Sequence, residues 1–175
     1  MNATMNTATR VLMAAMLCTA AVACSKKVKE APPPPATPTT APVTEAPPTA
    51  GVYGPGDLDT DACLRTRVVY FDYDQDALRP EFQAAMACHA KYLRDRPSSR
   101  MTLEGNADER GTREYNLGLG ERRSNAVSGA LGAAGASTAQ LNVVSYGEER
   151  PVCKDHSEDC WQKNRRVEVV YTSKQ

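Results

Sequence analysis

Four short runs of β-branched, aromatic and other apolar residues are spread along the chain from residue 67 onward. Each is bounded by polar residues, glycine or proline, which is typical of strands. The predicted strands cover residues 67–71, 101–104, 141–146 and 166–171. Polar stretches such as 72–76 are expected to form loops.

The two longer stretches between these strands carry apolar residues at helical spacing. Pro80 is suited to a first helical turn and Pro97 to a stop, which predicts a helix from residue 80 to about residue 96. Its inward positions are Phe82, Met86, His89, Ala90 and Leu93. Thr112 is suited to cap a second helix that ends near residue 131. Its inward positions are Leu119, Val127, Ala130 and Leu131. The order βαβαββ indicates an α/β (α+β) two-layer sandwich.

The first residues have the pattern of an export signal. Arg10 is their single charge, and an apolar run follows over residues 11–23 that is too short to span a bilayer. Residues 1–23 are therefore predicted to be a signal peptide. Small residues precede Cys24, as in the lipobox of bacterial lipoproteins, and this resemblance implies lipidation at Cys24. The alternative is an ordinary signal peptide that leaves Cys24 free or disulfide-bonded.

Proline dominates the segment that follows the predicted lipidation site. Nine of the twelve prolines lie within residues 26–56. Such a composition favours an extended, unpacked chain. Residues 24–56 are therefore predicted to carry the lipid and form a disordered tether, and residues 57–175 to form one globular domain.

The charge balance limits the classes of partner. The whole chain has 21 basic and 21 acidic residues, and the predicted domain has 17 basic and 19 acidic ones. A nucleic-acid-binding domain needs a basic surface, and adhesion to anionic lipid needs a basic cluster. Neither is expected here, so any membrane attachment rests on the lipid.

One loop and helix start carries a distinctive motif. Residues 104–116 read EGNADERGTREYN, which resembles the signature of the OmpA-like C-terminal domain family and, more narrowly, of the peptidoglycan-associated lipoproteins (Pal) within it. Four further segments agree in the family order: 69–72, 119–123, 145–149 and 164–168. Asn106 and Gly118 depart from the residues common there. The resemblance implies an OmpA-like fold with a four-stranded mixed sheet.

The resemblance also implies a binding site. The family recognises diaminopimelate of the peptidoglycan stem peptide, whose free end carries an ammonium and a carboxylate. Asp108 is expected to accept from the ammonium, and the planar fork of Arg123 suits the carboxylate. By resemblance the remaining pocket-lining residues are Phe71, Asp72, Arg110, Asn116 and Leu119. A structural role is an equal alternative for Asn116. Trp161 and residues 164–166 are interpreted as structural.

The function implied is a non-covalent tether between the outer membrane and the cell wall. The protein is expected to be lipid-anchored in the outer membrane with its domain facing the periplasm. Its partners are peptidoglycan, TolB and other Tol proteins, in a Tol–Pal system that acts in envelope integrity and cell division. No cofactor or catalysis is expected. One alternative is a peptidoglycan-acting enzyme, although no recognised carboxyl pair stands out. Another is an OmpA-like lipoprotein outside the Tol–Pal system.

Four cysteines fall in the predicted domain, and export favours disulfides over free thiols. Cys153 and Cys160 flank one polar loop, so their pairing is favoured, which leaves Cys63 to pair with Cys88. The alternatives are a zinc site and a Cys–His nucleophile. The Cys153, His156 and Cys160 spacing is not standard for zinc.

Overall fold

The computed structural model describes residues 51–174. The predicted signal peptide, Cys24 and the predicted tether up to residue 50 lie outside the described residues. In chain order the elements are helix α1 (Asp57–Thr60), strand β1 (Val68–Tyr70), helix α2 (Gln83–Asp95), strand β2 (Arg100–Asn106), helix α3 (Arg113–Ala133), strand β3 (Leu141–Gly147), helix α4 (Glu158–Asn164) and strand β4 (Arg166–Ser173). No helix within residues 51–174 has both the length and the apolar character needed to cross a bilayer.

The four strands form one mixed sheet in the order β1-β4-β2-β3. β2 runs parallel to β3, and β4 pairs antiparallel with both β1 and β2. The register of β2 with β4 places Met101 opposite Tyr171 at one end and Gly105 opposite Val167 at the other. The predicted four-stranded mixed sheet is confirmed.

Helices α2 and α3 bury their apolar positions against this sheet. Four of the five predicted inward residues lie on α2 and are buried, and the fifth, Phe82, is buried in the 3-10 turn Pro80–Phe82 that precedes α2. On α3, Leu119, Val127 and Leu131 are buried and Ala130 is partly buried. Thr112 caps α3, since its hydroxyl accepts the Tyr115 main-chain N–H at 3.2 Å. The core therefore forms where alternate residues of the strands, which share one face of the sheet, pack against the apolar faces of α2 and α3.

Strand β2 is longer than predicted and includes Gly105 and Asn106, which the sequence placed in a loop. Gly105 lies against α3 with no room for a side chain. A Cβ atom there would stand 2.0 Å from the carbonyl oxygen of Gly120. This contact seats the first half of α3 directly on the end of β2, which is where the charged residues of the motif gather.

A second apolar cluster lies at the other end of the sheet, where β2 begins and Met101 pairs with Tyr171 of β4. Its buried members are Tyr53, Leu58, Leu64, Cys88 and Tyr92. The Tyr53 main-chain N–H donates to the Asp95 carboxylate at 2.9 Å. The packed domain therefore includes Tyr53, four residues before the predicted boundary at Asp57. The proline-rich composition of this segment hides an aromatic side chain that is buried in the second cluster.

Both favoured disulfides are present. Cys63 joins Cys88 across 25 residues, within the second apolar cluster. Cys153 joins Cys160 across seven residues and ties the first turns of α4 to the loop before it. The sequence had interpreted residues 154–159 as a polar loop and did not predict α4 or the short α1.

His89 is a buried polar residue beside the second cluster. Its Nδ1 lies 2.8 Å from the Tyr171 hydroxyl and its Nε2 lies 3.0 Å from the Thr66 carbonyl oxygen. A carbonyl only accepts, so Nε2 carries the proton and Tyr171 donates to Nδ1. Burial lowers the pKa of His89 to about 4, so the ring is neutral at pH 7.

Candidate functional site

A cavity of about 140 Å³ opens at the end of the sheet where β2 finishes and α3 begins. It is lined by Tyr73, Asp74, Asp108, Arg110, Gly111, Tyr115, Asn116, Leu119 and Arg123. Gly111 has a φ of +120°, a left-handed backbone that suits glycine and turns the chain into the cap of α3. Five of the seven residues predicted for the pocket lie in this lining.

Asp108 lies on the cavity wall with only 4% of its surface exposed. Its Oδ1 accepts the Arg110 main-chain N–H and Nε, both at 3.0 Å. Its Oδ2 accepts Arg110 Nη2 at 2.7 Å and Arg165 Nη1 at 3.2 Å. Burial raises the pKa of Asp108, but these hydrogen bonds outweigh it and hold the pKa below its ordinary value. The group is therefore a carboxylate at neutral pH.

Arg123 is fully buried on α3. Its Nε, Nη1 and Nη2 donate to the main-chain carbonyls of Gln75, Asn106 and Asp72, at 2.8, 3.0 and 3.2 Å. Each terminal nitrogen carries a second N–H, and a carboxylate can accept two such N–H groups of a guanidinium side by side.

The charge of Arg123 survives its burial. Desolvation, together with the nearby charge of Arg165, lowers the pKa of Arg123 to about 10. A pKa of that size keeps the guanidinium protonated at neutral pH. Among the charged residues of the lining, Asp108 is a buried anion and Arg123 a buried cation, and each is held by its own set of partners.

The expected positions of Phe71 and Asp72 are corrected, because neither lines the cavity. The Phe71 ring is fully buried in the core, with the Arg123 guanidinium carbon 5.3 Å from its centroid. The Asp72 side chain faces away, toward Arg79 at 3.6 Å. Both residues serve the site through their carbonyl oxygens, which accept from Arg165 and Arg123.

Asn116 lies at the boundary between the cavity and the packed interior. It lines the cavity, and it is also a buried brace whose Nδ2 donates to Glu148 Oε2 at 2.5 Å. Leu119 supplies an apolar wall one turn further along α3.

Arg165 is the main contributor that the sequence set aside as structural. Its side chain is 3% exposed. It bridges Asp108 to Glu158, at 3.2 and 2.6 Å, and its Nε donates to the Phe71 carbonyl at 3.1 Å. Its sequence signal is weak, since an arginine at the start of a strand is more often exposed.

Aromatic rings surround Arg110 at the mouth of the cavity. The centroids of Tyr73 and Trp161 each lie 4.1 Å from its guanidinium carbon. Tyr115 also lines the mouth, and its hydroxyl donates to the carboxylate of Asp74. Trp161 had been interpreted as packing, yet it stacks on a charged residue of the site.

One group of potential metal ligands occurs within residues 51–174, formed by Cys153, Asp155 and Cys160 with ligand atoms within 4.8 Å of one another. Both sulfur atoms belong to the same disulfide, so neither offers the thiolate that a metal binds. The arrangement does not fit a metal site. The chemistry of the cavity is that of paired charges and hydrogen bonds.

A sequence model of the OmpA family matches residues 70–165, a span that holds the complete cavity lining and Arg165. This chain belongs to the OmpA family. It is 52% identical over 115 residues to the peptidoglycan-associated lipoprotein of Pseudomonas putida, covering 65% of this chain and 69% of the relative. It is 42% identical over 123 residues to that of Haemophilus influenzae, covering 70% and 78%.

Two solved structures share the fold of this domain. The crystal structure of the peptidoglycan-associated lipoprotein from Burkholderia pseudomallei is 43% identical, with a TM-score of 0.65, covering 67% of this chain and 99% of that one. The C-terminal domain of Helicobacter pylori MotB shares the fold at 23% identity and a TM-score of 0.56, covering 61% and 84%. The two relatives from Pseudomonas and Haemophilus and the Burkholderia structure are all named as peptidoglycan-associated lipoproteins.

Proposed function

We propose that this protein binds peptidoglycan non-covalently through the cavity at the end of β2. The observation that carries the proposal is the pairing of a buried anion, Asp108, with a buried cation, Arg123, on the walls of one small cavity. Isolated charges are expensive to bury, so a protein retains such a pair where a ligand or a specific contact needs it.

Diaminopimelate of the stem peptide has the chemistry that suits this cavity. Its ammonium is complementary to Asp108 and its carboxylate to the two remaining N–H groups of Arg123. The relatives from Pseudomonas and Haemophilus bear the name peptidoglycan-associated lipoprotein, which supports the same ligand. The proposal extends to lipid on Cys24, which would fasten the domain to the outer membrane and leave it free to grip the wall.

The same relationship supports membership of a Tol–Pal system with TolB as a partner. The similarity to peptidoglycan-associated lipoproteins extends over about two thirds of the length of the Pseudomonas relatives. The proposal therefore places the chain in the lipoprotein branch, with a role in envelope integrity and cell division.

A catalytic role on peptidoglycan is less well supported than binding. A general acid needs a carboxyl group that holds its proton near neutral pH. The arginine hydrogen bonds instead hold the pKa of Asp108 below its ordinary value. The relatives are also named for association with peptidoglycan and not for an activity upon it.

The proposal is tested by titrating the domain with a soluble stem-peptide fragment that ends in diaminopimelate, using calorimetry. Asp108→Asn and Arg123→Gln are each expected to weaken binding at least about tenfold, because each removes a charge-assisted contact. Asp76→Asn and Arg122→Gln are matched controls, since these residues form an exposed ion pair outside the cavity lining. Thermal melts establish that each variant is folded.

A second fragment with lysine in place of diaminopimelate separates the two contacts, since lysine keeps the ammonium and lacks the carboxylate. Wild-type protein should prefer diaminopimelate, and Arg123→Gln should lose that preference. Equal binding of both fragments by wild type, or folded Asp108→Asn protein with undiminished affinity, would contradict the proposed site.

A further inference from the structure

The carboxylate of Asp108 is already fully engaged. It accepts four hydrogen bonds, three from Arg110 and one from Arg165. A carboxylate has about four lone-pair positions. A ligand ammonium therefore has to displace one of the arginine donors before it can bind Asp108.

The two arginines differ in how readily they leave. Arg165 is 3% exposed and is also held by Glu158, by Gln162 and by the Phe71 carbonyl. The Arg110 side chain is 28% exposed and lies in the cavity lining. Two of its three bonds to Asp108 come from the side chain. Arg110 is therefore the donor that a ligand displaces.

Helix α4 keeps Arg110 in place. The guanidinium lies between the Tyr73 and Trp161 rings, at 4.1 Å from each centroid, and 3.3 Å from Glu158. Stacking between two aromatic faces and pairing with a carboxylate both favour this position. Trp161 and Glu158 both belong to α4.

Trp161 is itself firmly placed. Its Nε1 donates to Glu109 Oε1 at 2.7 Å, and the same oxygen lies 2.5 Å from His156 Nδ1. The preceding residue, Cys160, is disulfide-bonded to Cys153. The ring that stacks on Arg110 is thus held by a hydrogen bond and by a covalent link one residue away.

We propose that Trp161 is a positioning residue that holds Arg110 on Asp108 and thereby sets the affinity of the cavity for a ligand ammonium. Arg110 acts as an internal competitor for the carboxylate. The inference rests on the proposed function, because it concerns the same cavity and the same ligand. The observed affinity equals the intrinsic affinity multiplied by the fraction of molecules in which Arg110 does not cover Asp108.

The sign of the effect distinguishes this role from simple structural support. A ring that only supports the cavity would weaken binding when removed. A ring that stabilises the covered state would strengthen binding when removed. One stacking contact of this kind corresponds to a change of about fivefold in the dissociation constant.

The test compares Trp161→Leu with Trp161→Phe, which keeps a ring for stacking. Calorimetry with the diaminopimelate stem-peptide fragment gives the dissociation constants. Trp161→Leu is expected to bind about fivefold more tightly, Glu158→Gln to change in the same direction by less, and Trp161→Phe to stay near wild type. Tyr53→Leu is the control, since it removes a ring that stacks with Lys91 in the second apolar cluster.

A second readout needs no ligand. Hydrogen exchange of the Arg110 Nε–H, followed by NMR, should be slow in wild type and faster in Trp161→Leu. Unchanged exchange in Trp161→Leu overturns the inference. So does equal or weaker binding by folded Trp161→Leu when wild type binds normally, which leaves the proposed function intact. Failure of wild type itself to bind the fragment overturns both.

Discussion

The two ends of the sheet each carry a disulfide, but one end is packed with apolar side chains and the other with charged ones. At the end where β2 begins, Cys63–Cys88 sits among tyrosine and leucine side chains. At the end where β2 finishes, Cys153–Cys160 links α4 to the loop before it, and the buried charges include Asp108, Arg123 and Arg165. One end is an apolar cluster and the other is a network of ion pairs.

The two ends therefore differ in how their side chains contribute to stability. Burial of apolar surface stabilises the first end directly, at about 25 cal/mol per Å². Buried charges at the second end gain little over apolar residues of the same size, yet the loss of one partner leaves another charge unpaired. The charged end is therefore sensitive to single substitutions although it adds little stability as a whole.

The largest expected effect is at the charged end. Arg165→Gln removes a buried partner of Asp108 and is expected to lower the free energy of unfolding by about 4 kcal/mol. Urea denaturation measures the change. Arg150→Gln is the control, because Arg150 is mostly exposed and pairs with Glu104 at 3.7 Å, so its loss should change stability by less than about 1 kcal/mol. Equal effects of the two substitutions would break the comparison.

Removal of each disulfide should affect the two ends of the sheet differently. Replacing Cys63 and Cys88 by serine should lower the free energy of unfolding by about 3.5 kcal/mol, and replacing Cys153 and Cys160 by about 2.5 kcal/mol, because the first loop is longer. Only the second pair should alter affinity for the stem-peptide fragment, in the direction of Trp161→Leu. A change of affinity in the first variant would show that the two ends are coupled.

An effect similar in size to that of the disulfides comes from pH at the apolar end. The pKa of His89 is about 4 in the folded state against 6.5 ordinarily. Below pH 6.5 the unfolded chain takes up a proton that the folded protein excludes, so stability falls as pH drops toward 4. The loss is about 3 kcal/mol over this window and no more below it. Urea denaturation from pH 7 to 4 measures it, and His89→Gln should remove this share of the slope.

The charged end titrates in a different window. The pKa of Asp108 lies below its ordinary value of 3.8, so its contribution to stability is present above pH 3.8 and is lost as the pH falls through the lower folded value. A stability loss between pH 6.5 and 4 that persists in His89→Gln would show that other groups titrate there.

The strands and the two long helices could be predicted because their patterns are local. Val68 and Val69 alternate across a strand, and Phe82, Met86 and Leu93 recur on one helix face. Helix α4 was missed because it has a single turn of apolar character between charged residues. Tyr53 was missed because composition alone assigned its surroundings to the tether.

The site was predicted where one motif contains it and missed where contacts cross the chain. Asp108 and Arg110 stand in the motif, but Arg165 reaches Asp108 from 57 residues away. The stacking of Tyr73 and Trp161 on Arg110 depends on two separate loops meeting at one point. The spacing of Tyr73, Arg110 and Trp161 in the sequence does not predict these contacts, since only the tertiary fold brings the three residues together.

The link between Cys63 and Cys88 also sets a mechanical limit. A chain pulled at Gly51 lengthens by peeling Tyr53 and then α1 from the domain. The peeled segment, residues 51–63, reaches roughly 45 Å when fully extended. Further load passes through the sulfur–sulfur bond into helix α2 and not into the three-residue edge strand β1. The disulfide therefore limits how far the chain can extend and keeps tension off β1, the shortest strand of the sheet.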